Sequence, residues 1–162
     1  MTTTGIPNGR LGMMLLVGTE TILFSSFIGA YLVLRMAAAS WPPMGTPHLN
    51  LDLSIVNTAL LVFSTVQIYR RKIGMTFLLG VLFLLLQTLE FHRLYARGLT
   101  LQTGTYGALF YTLVTCHGLH VLGGLGILAV AFQKVAWEEY AELYWHFVTG
   151  VWLVLFAVLY LV

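Results

Sequence analysis

The stretch that decides the fold is YWHFVTGVWLVLFAVLYLV at residues 144–162, which contains no Asp, Glu, Lys or Arg. A helix of about 20 apolar residues is long enough to cross the roughly 30 Å of hydrocarbon in a lipid bilayer. The stretch therefore predicts a membrane-spanning helix. It also raises a question, because Trp145, His146 and Trp152 interrupt an otherwise apolar run.

Four further apolar stretches precede it, and the predicted spans are residues 11–36, 52–69, 73–95, 105–132 and 141–162. Hydrophobic residues make up 59% of the 162 residues and charged residues only 9%, with a mean hydropathy of +0.87. These values lie outside the range of soluble domains. The sequence predicts an all-α integral membrane protein with a single domain, residues 1–162, built as a bundle of five transmembrane helices.

Charge and cysteine content exclude several classes of site and partner. The net charge of +2 is small, which argues against a nucleic-acid partner. Cys116 is the single cysteine, so the chain cannot form an internal disulfide or a thiolate metal site. Cytoplasmic loops retain Lys and Arg, and this bias predicts an inner N-terminus and an outer C-terminus. The inner side then holds Arg10, Arg70, Arg71, Lys72 and Lys134, and the outer side Arg35, Arg93 and Arg97.

Polar side chains inside the predicted spans are the candidate functional residues, because a charge at the bilayer centre costs on the order of 3 kcal/mol or more. They are Glu20, Gln87, Glu90, His117, His120 and His146. Glu20 lies nine residues beyond Leu11, a depth of about 13 Å at 1.5 Å per residue. Its partner must come from another helix, and we predict that it pairs with His117 or His120. For Glu90 we predict an ion pair with Arg93 at the helix end.

The histidines do not form a convincing haem site. His117 and His120 lie on one face of the fourth span, so they cannot ligate one iron from opposite sides. His146 and His120 differ in depth by roughly 12 Å. A non-haem metal bound by Glu20, His117 and His120 is chemically feasible, and hydrogen bonding between helices is the alternative. We assign no catalytic, cofactor-binding or metal-ligating residue to this chain.

Tryptophans and small residues predict contacts with lipid and with other helices. Trp145 and His146, near the inner interface, are predicted to anchor the last helix at headgroup depth, and the alternative for His146 is a helix start in a wet region. Trp152 is predicted to pack against another helix or a partner subunit, and Trp41 to lie at the interface. Gly18, Thr21, Ser25 and Gly29 recur at spacings of three and four, which predicts a close-packing seam.

Five segments resemble, in order, the segments of subunit III of haem-copper respiratory oxidases, in its short five-helix form. They are GTETILFSSFIGAYLVLR (18–35), WPPMGTPHLNLDLSIVNTALL (41–61), LLLQTLEFHRL (84–94), TYGALFYTLVTCHGLHVLGG (105–124) and YWHFVTGVWLVLF (144–156). The resemblance covers residues 11–162. It implies a non-catalytic accessory subunit of the aerobic respiratory chain, packed beside subunit II and the catalytic subunit I that holds haem and copper, in a bacterial or archaeal cytoplasmic membrane. It also implies bound phospholipid, support for assembly and sustained proton uptake by the catalytic subunit.

The resemblance carries the family's motif positions onto individual residues of this sequence. They are Glu20; Trp41, Pro42, Pro43 and Gly45; Asn57 and Thr58; Gln87 and Glu90; His117, Gly118 and His120; and Trp145, His146, Phe147 and Trp152. The closing motif of the family commonly has an acidic residue where Thr149 stands here, so no role of that carboxylate is transferred. The long form of the family has seven spans, and this sequence begins at what would be the third.

Two alternatives stay open. The five-span form also occurs in quinol oxidases and as an accessory subunit of nitric-oxide reductases, so the partner's electron donor and acceptor are undetermined. A hypothesis from a different class is a small proton-conducting or carrier protein, with a relay of Glu20, His117 and His120. Between His120 and the inner end, however, the fourth span reads VLGGLGILAVAF and has no titratable side chain.

Overall fold

The computed structural model describes residues 8–47, 49 and 51–161, and within them every long element is a helix. The helices are α1 (Asn8–Ala37), α2 (Leu51–Tyr69), α3 (Ile73–Ala96), α4 (Thr105–Ala131) and α5 (Glu138–Phe156). A 3₁₀ turn, Val135–Trp137, leads into α5, and a π-helical turn, Ala157–Leu161, extends it. Five helical stretches are long and apolar enough to cross a membrane. The prediction of an all-α bundle with five spans is confirmed.

The turn between α2 and α3 fixes how these two helices pair. Arg71 has a φ of 58°, and its N–H donates to the carbonyl of Ile68 at 2.8 Å. The N–H of Lys72 donates to the carbonyl of Gln67 at 3.0 Å. This is the Schellman arrangement that satisfies the last carbonyls of a helix. Because the turn is so short, α2 and α3 form an antiparallel hairpin with a fixed register.

The α2–α3 hairpin packs against α4 and α5, and α1 packs on the outside of this group against α5 and α4. Phe24 and Tyr31 are the buried residues of α1. A Cβ added at Gly18 or Gly29 would meet no atom within 4 Å. The predicted seam of small residues in the first span is therefore wrong as a contact within this chain, because these two glycines face outward.

Close packing surrounds the indole of Trp145, which is fully buried. A Cβ added at Gly80 would lie 2.5 Å from the Cη2 atom of Trp145, and one added at Gly124 would lie 3.1 Å from its Cε3 atom. Only glycine leaves room for the indole between α3 and α4. This packing brings the three helices together two turns from the end of the bundle at which α3 and α5 begin.

Ion pairs join the helices at the end of the bundle where α1 and α5 begin. Arg71 lies 3.4 Å from Glu138 and 3.6 Å from Glu142, and Arg10 lies 3.3 Å from Glu139. Arg10, Arg71 and Glu139 are more than half exposed, so the pairs contribute little stability, about 0–1 kcal/mol each. They join the start of α5 to the start of α1 and to the α2–α3 turn.

Candidate functional site

Glu20 and His120 form a pair between α1 and α4. The Nε2 atom of His120 lies 2.8 Å from Oε2 of Glu20, and the side chains are 14% and 25% exposed. The edge of Phe24 packs on the imidazole, with ring centroids 4.8 Å apart. The prediction that Glu20 pairs with one of the two histidines of α4 is confirmed, and the partner is His120.

The number of protons that Glu20 and His120 share follows from the contact of Nδ1 of His120. Nδ1 of His120 lies 2.6 Å from the carbonyl oxygen of Cys116, and a carbonyl only accepts. Nδ1 therefore carries a hydrogen. One further proton lies between Nε2 and Glu20, which gives either an imidazolium beside a carboxylate or an imidazole beside a carboxylic acid. The pair is neutral overall in both forms, which lowers the cost of holding it inside a membrane.

His117 lies one turn away from His120 and has a different environment. Its ring is 1% exposed and stacks on Trp152, with centroids 5.0 Å apart and an interplanar angle of 29°. Phe24 and Phe83 make edge contacts with the same ring. Glu20, His117 and His120 do not converge on one point, and no group of three His, Cys, Asp or Glu side chains within the described residues could hold a metal ion.

Glu90 is the centre of a buried polar layer. It is 1% exposed, and its carboxylate accepts hydrogen bonds from Ser54 at 2.9 Å, Gln87 at 3.1 Å and Tyr160 at 3.2 Å. Gln87 in turn accepts a hydrogen bond from Nδ2 of Asn57 at 3.0 Å. The layer joins α2, α3 and the turn that follows α5.

The predicted ion pair of Glu90 with Arg93 is wrong. The ion pairs found within residues 8–47, 49 and 51–161 do not include Arg93, whose side chain is exposed while Glu90 is buried. The physical reason is that α3 turns its Gln87–Glu90 side towards Ser54 and Asn57 of α2. Three neutral donors solvate the carboxylate instead of one cation.

Two of the tryptophans predicted at a lipid or subunit interface are buried inside the bundle. Trp145 is 0% exposed and its indole N–H donates to Oγ of Ser64 at 2.8 Å. Trp152 is also 0% exposed and donates to Oγ1 of Thr58 at 2.9 Å. The predicted position at headgroup depth is therefore wrong for Trp145, whereas the prediction that Trp152 packs against another helix is confirmed. Both indoles find a hydroxyl on α2 as partner, which sequence spacing did not reveal.

The other two interface candidates lie closer to the surface. Trp41 is half-buried in the connection after α1, and its indole N–H donates to the phenol of Tyr31 at 2.9 Å. Its ring also meets the edge of Tyr106, with centroids 5.2 Å apart. His146 is exposed near the start of α5, and its Nδ1 lies 2.7 Å from the carbonyl of Glu142. Both positions are compatible with an interfacial role, which stays a prediction.

Several functional contacts were missed from the sequence, and Thr149 is the most informative of them. Its hydroxyl lies 2.8 Å from that of Thr65 on α2, and Thr149 is 5% exposed. The position where the resembling family often has an acid thus forms a neutral bond between helices. Tyr160 and Ser54 were also missed, although Ser54 is a polar residue at the start of an apolar span and so carried a signal.

An apolar groove runs between α1 and α5. Its volume is about 310 Å³, and its lining includes Thr21, Ser25 and Ile28 of α1 and Phe147 and Gly150 of α5. A Cβ added at Gly150 would meet no atom within 4 Å. The groove therefore lies open on the side of the bundle, next to the helix that carries Glu20.

Comparison with known proteins gives a consistent result over the whole chain. The family described as cytochrome c oxidase subunit III matches residues 2–162. Cytochrome c oxidase subunit 3 of Synechocystis sp. is 36% identical, with 97% of this chain and 77% of the relative covered. The protein of that name from Bacillus subtilis is 36% identical, with 95% and 86% covered. That of Oryctolagus cuniculus is 31% identical, with 93% and 68% covered.

Proposed function

This chain belongs to the cytochrome c oxidase subunit III family, the accessory subunit of haem-copper oxidases, and from that premise we propose how it works. It lies beside catalytic subunit I and subunit II in the cytoplasmic membrane of a bacterium or archaeon. There it supports assembly of the complex and sustained proton uptake by the catalytic subunit. The family match over residues 2–162, which includes all five spans, is the observation that carries the proposal.

The histidines of α4 support a non-catalytic role. Haem and copper each need a ligand nitrogen that has a free lone pair and that the metal can reach. Both nitrogens of His120 are engaged, one by Cys116 and one by Glu20. The ring of His117 is enclosed by Trp152, Phe24 and Phe83. In this proposal the haem and copper groups belong to the partner subunit, and this chain supplies no ligand.

The contribution of this chain is a rigid flank with one exposed helix. Phe24 and Tyr31 are the only buried residues among those described in α1, whereas each of the other long helices buries at least six residues. The Glu20–His120 pair is the polar link that holds α1 on α4. We propose that this link keeps α1 in position against its neighbours in the complex, so that the surface near the catalytic subunit's proton entry keeps its shape during turnover.

Phospholipid is the ligand proposed for the groove between α1 and α5. The groove is apolar, open to the side, and has a volume of about 310 Å³. An acyl chain would replace weak contacts with bulk lipid by ordered van der Waals contacts with Phe147 and Ile28. A lipid held there would link α1 to α5 along the same flank that Glu20 and His120 stabilise.

We also propose that the N-terminus lies on the cytoplasmic side. Arg10 and Arg71 lie at the same end of the bundle, where both pair with carboxylates of α5. This end holds five of the eight basic residues, as the positive-inside rule favours for a cytoplasmic face.

The experiment that tests the proposal is a mild-detergent pull-down of the full chain, with a reduced-minus-oxidised visible spectrum and metal analysis of the isolated material. We expect larger membrane proteins that contain haem and copper. The haem type would then distinguish oxygen from nitric-oxide chemistry. A colourless, metal-free chain isolated alone would contradict the proposal. Liposomes containing that chain would then test the proton-conducting alternative by loss of an imposed pH gradient.

A further inference from the structure

His117 is a buried polar residue that the proposed function does not use. Its ring is 1% exposed, and neither Nδ1 nor Nε2 has a hydrogen-bond partner within the described part of the chain. Trp152, Phe24 and Phe83 hold the ring by stacking and edge contacts. Aromatic faces and edges fix its orientation but do not replace a hydrogen bond to an imidazole nitrogen. Such a group is normally paired with protein or with ordered water.

The second orphaned atom is Oδ1 of Asn57, whose residue is also 1% exposed. Its orientation is fixed by the Glu90 layer. Nε2 of Gln87 donates to the carboxylate of Glu90, so Oε1 of Gln87 faces Asn57 and requires the amide Nδ2 as donor. Rotating the amide of Asn57 by half a turn would bring two acceptor oxygens together. Oδ1 of Asn57 is therefore an acceptor that points away from the layer and needs a donor.

Asn57 and His117 lie at the same depth in the bundle. Thr58, the neighbour of Asn57 on α2, accepts a hydrogen bond from Nε1 of Trp152 at 2.9 Å. The indole of Trp152 is also the ring on which His117 stacks, at 5.0 Å. Phe83, which meets the edge of His117 at 5.9 Å, is one turn from Gln87 on α3. One indole thus connects the turn of α2 that holds Asn57 to the turn of α4 that holds His117.

We propose that Asn57 and His117 together bind one buried water molecule between α2 and α4. A neutral imidazole has one donor and one acceptor nitrogen. The water donates one hydrogen to Oδ1 of Asn57 and bonds a ring nitrogen of His117, as acceptor from N–H or as donor to the bare nitrogen. Buried waters make about three hydrogen bonds to groups that would otherwise be unsatisfied. This water extends the Glu90 layer from α3 and α2 onto α4, and it does not depend on the function proposed above.

The direct test is a density map of the full chain, in the complex with which it is isolated, at a resolution that shows ordered water. We expect a peak within hydrogen-bond distance of both Oδ1 of Asn57 and one ring nitrogen of His117. Absence of that peak, where equally buried waters are seen elsewhere in the same map, would overturn the proposal. So would a direct hydrogen bond between the two side chains.

If the map does not resolve water, a double-mutant cycle of His117→Phe and Asn57→Leu tests the proposal. The measured quantity is the midpoint temperature of thermal unfolding of each variant. Residues that share a water are coupled, so the double variant should lose less than the sum of the two single losses. Additive losses would overturn the proposal. The control cycle combines Asn57→Leu with His146→Phe, since His146 is exposed in the first half of α5, and its losses should add.

Discussion

Removing the carboxylate of Glu20 should loosen α1 and shorten the working life of the oxidase without changing its haems. In Glu20→Ala, Nε2 of His120 loses its partner at 2.8 Å, while Nδ1 keeps its bond to the carbonyl of Cys116. Hydrogen bonds to charged groups contribute about 1.5–3 kcal/mol. That range corresponds to a roughly 10- to 150-fold shift towards the state in which α1 is detached. The effect should be large because α1 has few other buried contacts.

Glu139→Ala provides the matched control for this variant. It removes the same side chain from an ion pair with Arg10, at 3.3 Å, but both side chains there are more than half exposed. Exposed pairs contribute about 0–1 kcal/mol, so this variant should behave almost like the unaltered chain. His120→Ala should resemble Glu20→Ala, and the double variant should be little worse than either single variant, because both remove one interaction.

The assay uses the oxidase complex purified with each variant. It records the amount of this chain retained after detergent incubation, the duration of oxygen consumption during turnover, and the reduced-minus-oxidised spectrum. We expect Glu20→Ala to reduce retention and duration, with an unchanged spectrum. The reasoning is refuted if Glu20→Ala and Glu139→Ala give the same retention and duration. Altered haem absorbance in Glu20→Ala would also refute it, because the pair would then act on the haem site itself.

Three further predictions test the packing, the buried carboxylate and the groove. Gly80→Ala should lower the midpoint temperature of unfolding relative to Gly126→Ala, because its added Cβ lies 2.5 Å from Trp145 whereas that of Gly126 meets nothing within 4 Å. Overpacking costs about 1–3 kcal/mol. Equal midpoint temperatures for the two variants would contradict close contact between Gly80 and Trp145. Glu90→Gln places an NH₂ group against at least one of the donors Ser54, Gln87 and Tyr160, so it should lower the free energy of unfolding by about 1–3 kcal/mol. A variant as stable as the unaltered chain would show that Glu90 already carries a proton. Gly150→Leu should fill the groove and reduce the phospholipid that mass spectrometry finds with the purified complex, whereas Gly126→Leu, on α4, should not; equal lipid content in both would exclude the groove as the lipid site.

The five helices could be predicted from the sequence, and so could a pair between Glu20 and one of the two histidines of α4, because both follow from depth. Apolar length determines where a chain crosses a membrane, and Glu20 has no titratable neighbour at its depth on its own helix. The Glu90 layer was missed, although its register is visible in the residue numbers. Ser54 and Glu90 each lie 18 residues from Lys72, and Asn57 and Gln87 each lie 15 residues from it. A tight turn at Lys72 places each pair at the same depth.

The burial of the tryptophans could not be predicted in the same way. Trp145 has apolar and polar neighbours around its helix, and the polar ones are Glu142, His146 and Thr149. The sequence of α5 therefore does not show which side faces the interior. Its partners lie far away in the chain, where Gly80 and Gly124 leave the space and Ser64 accepts the hydrogen bond. The rotation of an apolar helix about its axis is therefore determined by its contacts with other helices and cannot be read from the sequence of that helix alone. An aromatic belt was the default interpretation because it needs no knowledge of the partners.

One helix, α2, carries most of the side chains that fix the rotation of its neighbours α3 and α5. Lipid gives no hydrophobic reason for one side of an apolar helix to face another helix, so packing and hydrogen bonds must supply it. The interhelical acceptors and donors described above occur repeatedly on α2, at Ser54, Asn57, Thr58, Ser64 and Thr65. They bond α3 near its carboxyl end and α5 at three successive depths. The buried residues of α2 recur at spacings of three and four, as one helix face requires. A hydroxyl and amide stripe of that spacing in an apolar span therefore marks the side that faces other helices, and in this chain it orients α2 towards α3 and α5.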